Sequence, residues 1–368
     1  MLLPAKLIYR TCVSCHAFLF LFFMGASSVG CGNRAFSDLF KKATSDSSTN
    51  PSTQTDSDGS GDSSGDDSAP VACGDGCIQK DLTVSSNRLK YNVHDAAVAA
   101  GWDGVAPLNA NITISSGVVI YSDNVATPAF STGALPVGSS VTLNNSGKIY
   151  GAAISNAAAA DKTGTLQAWE GGTAIQIDAP FHLINSGTIT GGSGGAGDGE
   201  GDRCCSPYNG PSTGGQGGSA IVLNAIALIT NTGEIFGAGG GGAGGAGAWM
   251  AAIGSGWGGV GQGAYNGDLL SVGLGKTTGI CSGGQGGNGG SYGQAGVQGG
   301  SCWDGRALPV TGYQGAIVNY VGPASGGAGG YALVLNGKSV TLNGSTVVAN
   351  PSYTENTWIS GTKGRIAP

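Results

Sequence analysis

The sequence predicts an all-β fold, in which stacked β-strand repeats form a scaffold that carries an inserted polyglycine-II helix bundle or sandwich and follows one short helix. A strand–turn–strand pattern occurs three times between positions 141 and 237. Glycine makes up 72 of the 368 residues, whereas about 7% is usual. Only 10% of the residues are charged, against roughly 25% in average proteins. An ordered chain of this composition must get its cohesion from backbone hydrogen bonds more than from buried side chains.

The first 30 residues have the features of a lipoprotein signal peptide. Lys6 and Arg10 form a positive start, and an apolar run follows at positions 17–24. The small residues at 25–30 then lead directly to Cys31, as at a cleavage site. We therefore expect cleavage before Cys31 and lipidation of that cysteine.

The segment 28–31 resembles a lipobox, although Ser28 stands where leucine is usual. The alternative is an uncleaved N-terminal membrane anchor, because the run 11–30 approaches the ~20 residues that span a bilayer. Either alternative exports the rest of the chain. Because Gly32, not aspartate, follows the cysteine, we expect a lipid-anchored protein at the outer membrane or cell surface.

The cysteines support export. Of nine cysteines, Cys12 and Cys15 lie in the signal peptide and Cys31 takes the lipid. An even set of six in an exported chain predicts disulfides, with 15 possible connectivities. Adjacent cysteines cannot easily pair with each other, so each of the pair at 204–205 is expected to reach another partner. Zinc is the competing interpretation, but no histidine lies near any of the six. The six are Cys73, Cys77, Cys204, Cys205, Cys281 and Cys302.

Two segments precede the strand repeats. Residues 45–70 are almost purely Ser, Thr, Asp, Gly and Pro, which is typical of a flexible tether. The segment 91–102 predicts one helix, because Val93, Ala96, Ala97 and Ala100 fall at helical spacing before a glycine. The predicted organisation is a signal peptide at 1–30, a lipidated tether at 31–79, a β scaffold with the short helix at 80–190, a glycine-rich recognition region with interleaved strands at 191–330, and a C-terminal β segment at 331–368.

The internal repeat predicts stacked rungs. Each copy is a strand, an Asn-Ser/Thr-Gly turn and a second short strand, at 141–151, 182–191 and 228–237. Asparagine and glycine tolerate the positive φ that we expect of such turns. Companion strands at 172–177, 218–223 and 330–335 extend the pattern. Glycine-rich insertions of unequal length separate the copies and are expected to leave the scaffold as loops.

The insertions repeat glycine with a period of three, for example at 191–197, 241–247, 283–290 and 326–330. A period of three is the geometry of a polyproline-II-type helix. Collagen shares this period, but 13 prolines in the whole chain are too few for it. With glycine instead of proline every residue keeps its N–H, so neighbouring helices can bond backbone to backbone. A disordered glycine linker is the alternative, and the interleaved strands, cysteines and aromatic residues argue against it.

The segments 91–104 and 141–147, followed by glycine tracts, resemble the receptor-binding tip proteins of tailed bacteriophages, in particular the long-tail-fibre adhesins of T-even-like phages. Residues 358–367 resemble the close of such tip domains, and the resemblance covers residues 82–368. Phage tail proteins do not carry lipoprotein signals, so the chain resembles a tip domain mounted on a bacterial lipid anchor. The resemblance implies receptor recognition, and a homotrimer, since fibre tips are often trimeric.

By this resemblance, ligand contact falls on loops that join the glycine helices at their distal end. Seven large side chains lie within the glycine-rich sequence, and aromatic residues are common anchors at binding surfaces. The alternative is that they cap the ends of the glycine sandwich. Trp257 and Tyr265 are favoured because the segment 254–268 around them is the most loop-like. The predicted receptor-binding residues are Trp249, Met250, Trp257, Tyr265, Tyr292, Trp303 and Tyr313.

The sequence gives only weak signals for metal, cofactor or nucleic-acid sites. His94 and His182 are expected to be structural or solvated. Asp198, Glu200 and Asp202 could offer oxygen ligands to Ca²⁺, but Gly199 breaks the calcium-binding nonapeptide pattern, and a solvated acidic loop is the favoured interpretation. No cofactor and no metal are predicted. The net charge of −6 offers nothing to phosphate backbones, so no nucleic-acid partner is expected.

Three functions compete. The favoured one is a non-enzymatic adhesin that recognises a cell-surface receptor, either an outer-membrane protein or a glycan. A polysaccharide depolymerase on a β-helical scaffold would need paired carboxylates in a groove, and only Glu170, Asp178 and Glu234 lie near the repeat strands. A structural surface or fibre component without a ligand is the third.

Overall fold

The chain winds through three β-sheets, and each turn of the winding contributes one strand to each sheet. The fold is almost entirely β with a single short helix in the described residues, as the sequence predicts. The computed structural model describes residues 76–153, 170–197, 213–243, 258–275, 287–300, 324–347 and 361–368. Within these residues, no helix combines the length and the apolar character needed to cross a membrane.

The described residues form strands and one helix. In chain order they are β1 (Ile78–Val84), β2 (Arg88–Leu89), β3 (Tyr91–Asn92), α1 (Val93–Ala99), β4 (Leu108–Ile114), β5 (Val119–Tyr121), β6 (Phe130–Ser131), β7 (Ser140–Asn145), β8 (Lys148–Tyr150), β9 (Ile175–Ile177), β10 (Phe181–Asn185), β11 (Thr188–Thr190), β12 (Ile221–Leu223), β13 (Ala227–Asn231), β14 (Glu234–Phe236), β15 (Gly263–Tyr265), β16 (Asp268–Leu270), β17 (Tyr331–Val334), β18 (Val340–Leu342), β19 (Ser345–Val347), β20 (Thr362–Lys363) and β21 (Arg365–Ala367).

Six rungs make a three-sided parallel β-helix. Sheet 1 holds β1, β4, β7, β10, β13 and β18, with β19 antiparallel at its edge; sheet 2 holds β2, β5, β8, β11, β14 and β20; sheet 3 holds β3, β6, β9, β12, β17 and β21. Every pairing between successive rungs is parallel and nearly all are in register, as between β7 and β10. The strand repeat recognised in the sequence is thus the step from sheet 1 to sheet 2 in rungs three, four and five.

The core is a set of aligned apolar columns. Because side chains alternate along a strand, every second residue points inward, and stacking in register places like residues above each other. Each fully buried Leu or Ile stabilises the fold by about 1.5–3 kcal/mol. The columns are Ile112, Leu143, Leu183, Ile229 and Leu342 on sheet 1; Ile120, Ile149, Ile189 and Ile235 on sheet 2; and Phe130, Ile175, Ile221 and Leu333 on sheet 3.

A buried asparagine ladder fixes the corner between sheets 1 and 2. Asn145 Nδ2 donates to Asn185 Oδ1 at 2.8 Å, and Asn185 Nδ2 donates to Asn231 Oδ1 at 2.7 Å. The next rung continues the ladder, since Asn343 Oδ1 accepts the backbone N–H of Asn231 at 2.7 Å. Each amide side chain therefore has partners although three of the residues are almost fully buried, which removes the cost of burying an unpaired polar group.

The glycines of these turns serve close approach and not positive φ, so the expectation of left-handed turns was wrong. Gly147, Gly187 and Gly233 are absent from the positive-φ glycines of the described chain. Instead, a Cβ added to Gly187 would overlap the carbonyl oxygen of Gly147, and one added to Gly233 would overlap that of Gly187. Successive rungs touch through their backbones at this corner.

The helix is shorter than the sequence predicts and covers one end of the core. Tyr91 and Asn92 form β3 and pair with β6, so α1 begins only at Val93. Asn92 is also the N-cap, with Oδ1 accepting the N–H of Asp95 at 3.2 Å. Val93 and Ala97 are buried in the core, and the helix packs against β1 and β3 of the first rung.

The long insertions leave at one corner. They separate the sheet 2 strand from the sheet 3 strand in rungs three, four and five, at 151–174, 191–220 and 237–330. β11 ends at Thr190 and β17 begins at Tyr331, next to the predicted boundaries at 190 and 331. β1 begins at Ile78, two residues inside the predicted tether. Cys77 is disulfide-bonded; the signal peptide, Cys31 and the other five predicted disulfide cysteines lie outside the described residues.

We expect the variant Asn185→Asp to lower the free energy of unfolding by about 1–3 kcal/mol, because a carboxylate there would face Asn231 Oδ1 without a proton to donate. Urea unfolding followed by circular dichroism measures this. The matched control is Asn144→Asp, one residue before the ladder, where the side chain reaches only Asn111 Oδ1 at 2.8 Å on the exposed face. Equal unfolding curves for the two variants would mean that the ladder contributes nothing specific.

Candidate functional site

The glycine-rich insertions form a bundle of seven short extended segments, here called the glycine bundle. They are connected to each other by backbone hydrogen bonds. Segment 237–243 lies at the centre and bonds to the other six. The outer segments are 191–197, 213–218, 258–264, 287–293, 294–300 and 324–330.

Successive N–H groups of the central segment take turns among three neighbours and return to the same one after three residues. A repeat of three is what a threefold glycine helix requires. In chain order the donors and acceptors are Ala238 to Gly218 (3.0 Å), Gly239 to Gln262 (2.6 Å), Gly240 to Gln294 (3.0 Å), Gly241 to Gly215 (2.8 Å), Gly242 to Gly259 (2.7 Å) and Ala243 to Val297 (3.1 Å).

The carbonyl groups of the central segment accept bonds from the remaining three neighbours with the same repeat of three. All backbone polar groups from Ala238 to Ala243 are therefore paired, as buried backbone must be. The acceptors and donors are Gly237 from Gly293 (2.8 Å), Ala238 from Gly330 (2.6 Å), Gly239 from Gly194 (3.0 Å), Gly240 from Gly290 (2.8 Å), Gly241 from Gly327 (2.8 Å), Gly242 from Gly197 (2.8 Å) and Ala243 from Gly287 (2.9 Å).

Glycine is required in the bundle by contact between backbones. A Cβ added to Gly240 would overlap the carbonyl oxygen of Gly327, and one added to Gly241 would overlap that of Gly195. The overlapping atoms belong to backbone, which cannot move aside as a flexible side chain can. The spacing between segments is thus set by the absence of side chains.

The bundle has a proximal end, which adjoins the β-helix, and a distal end, and the hydrogen bonds distinguish the two. At the proximal end, Gly191, Gly237 and Gly330 directly adjoin the strands β11, β14 and β17. At the distal end, Gly197 bonds to both Gly242 and Gly258. The hydrogen bonds between 191–197 and 237–243 keep one register. Both segments therefore run from the proximal end to the distal end.

Four shorter stretches of these insertions, here called the distal insertions, depart from the distal end of the bundle. The described residues that flank them are hydrogen-bonded there: Gly258 to Gly197 (2.9 Å), Gly287 to Ala243 (2.9 Å), Gly214 to Ser325 (3.1 Å) and Gly299 to Ala324 (3.2 Å). The insertions are 198–212, 244–257, 276–286 and 301–323, which all lie outside the described residues.

Five of the seven predicted receptor-binding residues belong to these insertions. They are Trp249, Met250, Trp257, Trp303 and Tyr313, and all lie outside the described residues, as do the candidate calcium ligands Asp198, Glu200 and Asp202. No group of three His, Cys, Asp or Glu side chains that could hold a metal ion occurs in the described part of the chain.

Tyr265 does not lie in a distal loop. It ends β15, which forms an antiparallel hairpin with β16 through Asn266 and Gly267, with φ of 46° and 87°. An Asn-Gly pair with positive φ at both residues favours this two-residue turn. Gly267 lies next to the ring of Tyr121 in β5, so the hairpin folds back onto sheet 2. The Asn-Gly signal was present in the sequence and could have identified the hairpin.

Tyr292 also lies at the proximal end. Its ring centroid is 4.5 Å from that of Phe236, which points outward from β14. Lys363 Nζ lies 4.8 Å from the Phe236 ring on the next rung. Burial, together with the charge of Glu234, raises the pKa of Tyr292. The receptor-binding role of Tyr265 and Tyr292 stays a prediction, but their positions are those of groups that fasten the bundle to the scaffold.

Tyr150 occupies the centre of this junction. It points outward from β8, is only 1% exposed, and its hydroxyl has no hydrogen-bond partner among the described residues. Burial first, and then the neighbouring Tyr292, Glu234 and Asp268, raise the pKa of Tyr150 to about 12. The phenol is therefore neutral at physiological pH and acts as a packing group between sheet 2 and the bundle.

The remaining candidate groups are dispersed. Asp178 lies on the outer side of sheet 3, whereas Glu234 lies on the outer side of sheet 2. Of the histidines, His94 Nδ1 lies 3.1 Å from Asp95 Oδ1 in α1. His182 points outward from β10, and partial burial lowers its pKa.

We expect Gly241→Ala to disrupt the bundle, because the new methyl group would overlap the backbone of Gly195. Overpacking of this kind costs about 1–3 kcal/mol. Hydrogen exchange should show faster exchange of the amides at 237–243 in the variant than in the wild type. The control is Gln298→Ala, at an exposed position of an outer segment. If these amides exchange as freely in the wild type as in an unfolded chain, the bundle does not exist.

Residues 79–216 match the family model of the phage tail fibre adhesin Gp38, which is less than half of the chain. Among solved structures, the chain is similar to the gp37-gp38 adhesin tip complex of the bacteriophage S16 long tail fibre, with 19% identity over 78% of this chain and 82% of that chain, and a TM-score of 0.35. Comparison with curated proteins gave no match. The chain is thus similar to phage tail fibre adhesins from β1 into the second segment of the glycine bundle.

Proposed function

We propose that the chain is an adhesin that recognises a receptor on another cell surface through the insertions at the distal end of the glycine bundle. The observation that carries the proposal is that the bundle residues flanking four insertions all meet at one end. Binding residues commonly lie on loops that a rigid scaffold holds in place. The match of residues 79–216 to a phage tail fibre adhesin family supports the same function.

The bundle is suited to hold binding loops in place. The threefold repeat of its hydrogen bonds and its six-neighbour packing support a polyglycine-II arrangement. A rigid base reduces the conformational entropy that each loop loses on binding, which raises affinity without new contacts. The aromatic residues of the insertions, above all Trp257 and Trp303, are the anchors that we propose for the receptor.

Two of the acidic residues near the repeat strands, Asp178 and Glu234, are not arranged as the carboxyl pair of a glycoside hydrolase. A glycoside hydrolase uses two carboxyl groups about 5–10 Å apart that flank one bond. Asp178 and Glu234 lie on different faces of the β-helix and cannot act as such a pair. The proposed receptor is an outer-membrane protein or a glycan.

The experiment compares binding of the fluorescently labelled full chain to whole Gram-negative cells and to their purified lipopolysaccharide. Trp257→Ala and Trp303→Ala should each weaken binding by at least about tenfold, as expected for a buried aromatic anchor. The control Val137→Ala changes an apolar side chain that is 98% exposed on the scaffold and should bind as the wild type does. Wild-type affinity in both tryptophan variants, or release of reducing ends from the polysaccharide, would contradict the proposal.

We also propose that Cys31 carries a lipid and that the tether displays the β-helix away from the outer membrane. The small residues before Cys31 and the Ser- and Asp-rich composition of 45–70 support this. Metabolic labelling with palmitate should mark the wild type and not Cys31→Ala. Label retained by Cys31→Ala would contradict the anchor and leave the adhesin proposal untouched.

A further inference from the structure

A polar strip runs across the rungs on the outer side of sheet 3. Asn92 Nδ2 donates to Ser131 Oγ at 3.2 Å, which connects rungs one and two. In rung three, Asp178 accepts bonds from Gln176 Nε2 at 3.2 Å and from Asn224 Nδ2 of the next rung at 2.7 Å. Asn336 Nδ2 then donates to Asn224 Oδ1 at 2.8 Å. Amide, carboxylate and hydroxyl groups thus form a nearly continuous line over five rungs.

The strip contains a groove at its middle. The groove measures about 300 Å³, which is the lower end of the range for small-molecule sites. It is open to solvent and crosses from rung two to rung three. The lining residues are Pro128, Ser131, Gly133, Ala134, Gln176 and Asp178.

The side chains of the strip orient each other and leave groups free for a ligand. Gln176 uses its Nε2 on Asp178, and no described residue bonds to its Oε1. Ser131 accepts from Asn92, so its hydroxyl proton can be donated. Asp178 is itself held, because its backbone N–H donates to Thr132 Oγ1 at 2.9 Å. The groove therefore presents preset donors and acceptors side by side.

The lining excludes several ligand classes. With one carboxylate and no Lys or Arg, the groove repels phosphates and carboxylates. Because the groove is open to solvent, it gives little burial to an apolar molecule. A peptide that bound by strand addition would need an unpaired sheet edge, but β6 is paired on both sides, with β3 and β9.

We propose that this groove binds a neutral saccharide. A sugar ring carries adjacent hydroxyl groups that both donate and accept, which matches a carboxylate, an amide and a hydroxyl in one row. Successive rungs lie about 4.8 Å apart, so Ser131 and Gln176 can contact opposite sides of one ring. Pro128 and Ala134 offer small apolar surfaces to the C–H face of the ring. The site is separate from the distal insertions and does not depend on the proposed function.

Saturation-transfer-difference NMR on the full chain tests the site. The probes are methyl glucoside, methyl mannoside, methyl galactoside and N-acetylglucosamine, with glycerol as a simple polyol for comparison. At least one saccharide should receive saturation from the wild type. The combined variant Gln176→Ala, Asp178→Ala and the separate variant Ala134→Trp, which fills the groove from an exposed position, should each weaken this binding at least about tenfold.

The matched control is Asp81→Ala. Asp81 accepts a hydrogen bond from Asn111 Nδ2 at 3.1 Å on the outer face of sheet 1. The variant therefore removes the same kind of carboxylate–amide pair at a place away from the groove. Thermal unfolding shows whether each variant is folded. Absence of transfer to all four saccharides, equal transfer to glycerol, or undiminished binding in the folded Ala134→Trp variant would overturn the proposal. Cell binding that persists when saccharide binding is lost separates this site from the distal one.

Discussion

Direct contact between backbones, without intervening Cβ atoms, is the constraint on which this molecule depends. At the corner of the β-helix it lets Gly187 approach the carbonyl group of Gly147, and in the bundle it lets Gly241 approach that of Gly195. Each contact buries polar groups that must be paired, and the regular registers pair them. The low charge of the chain and its 72 glycines agree with the same constraint.

The β-helix and the bundle are stabilised by different interactions and meet in a small aromatic junction. Leu and Ile columns hold the rungs together, whereas the bundle has few side chains to bury. Tyr150, Phe236 and Tyr292 fill the space where the two meet. Because the insertions at 191–220 and 237–330 leave from one corner, the seven segments of the bundle extend outward from rungs four and five. The scaffold therefore fixes both the origin and the direction of the segments.

The repeat of strand, Asn-Ser/Thr-Gly turn and strand was sufficient to predict the rungs, because period-two alternation and aligned copies leave few other arrangements. It did not reveal that the asparagines bond to each other, since contacts between residues 40 or more positions apart are not visible in local pattern. The helix prediction included Tyr91 and Asn92 because helical spacing does not register a competing sheet pairing. Tyr265 and Tyr292 were grouped with the loop aromatics because glycine-rich flanks look alike at both ends of a bundle.

The hydrogen bonds between neighbouring segments of the bundle have a mechanical consequence. The insertions at 198–212, 244–257 and 301–323 each join two segments of the bundle, and each of these segments is hydrogen-bonded sideways to others. Tension on one of these insertions would act along the segments and across their hydrogen bonds. Many of these bonds must then break together before a segment slides. A head with almost no side-chain core can in this way resist load through the number of its backbone bonds.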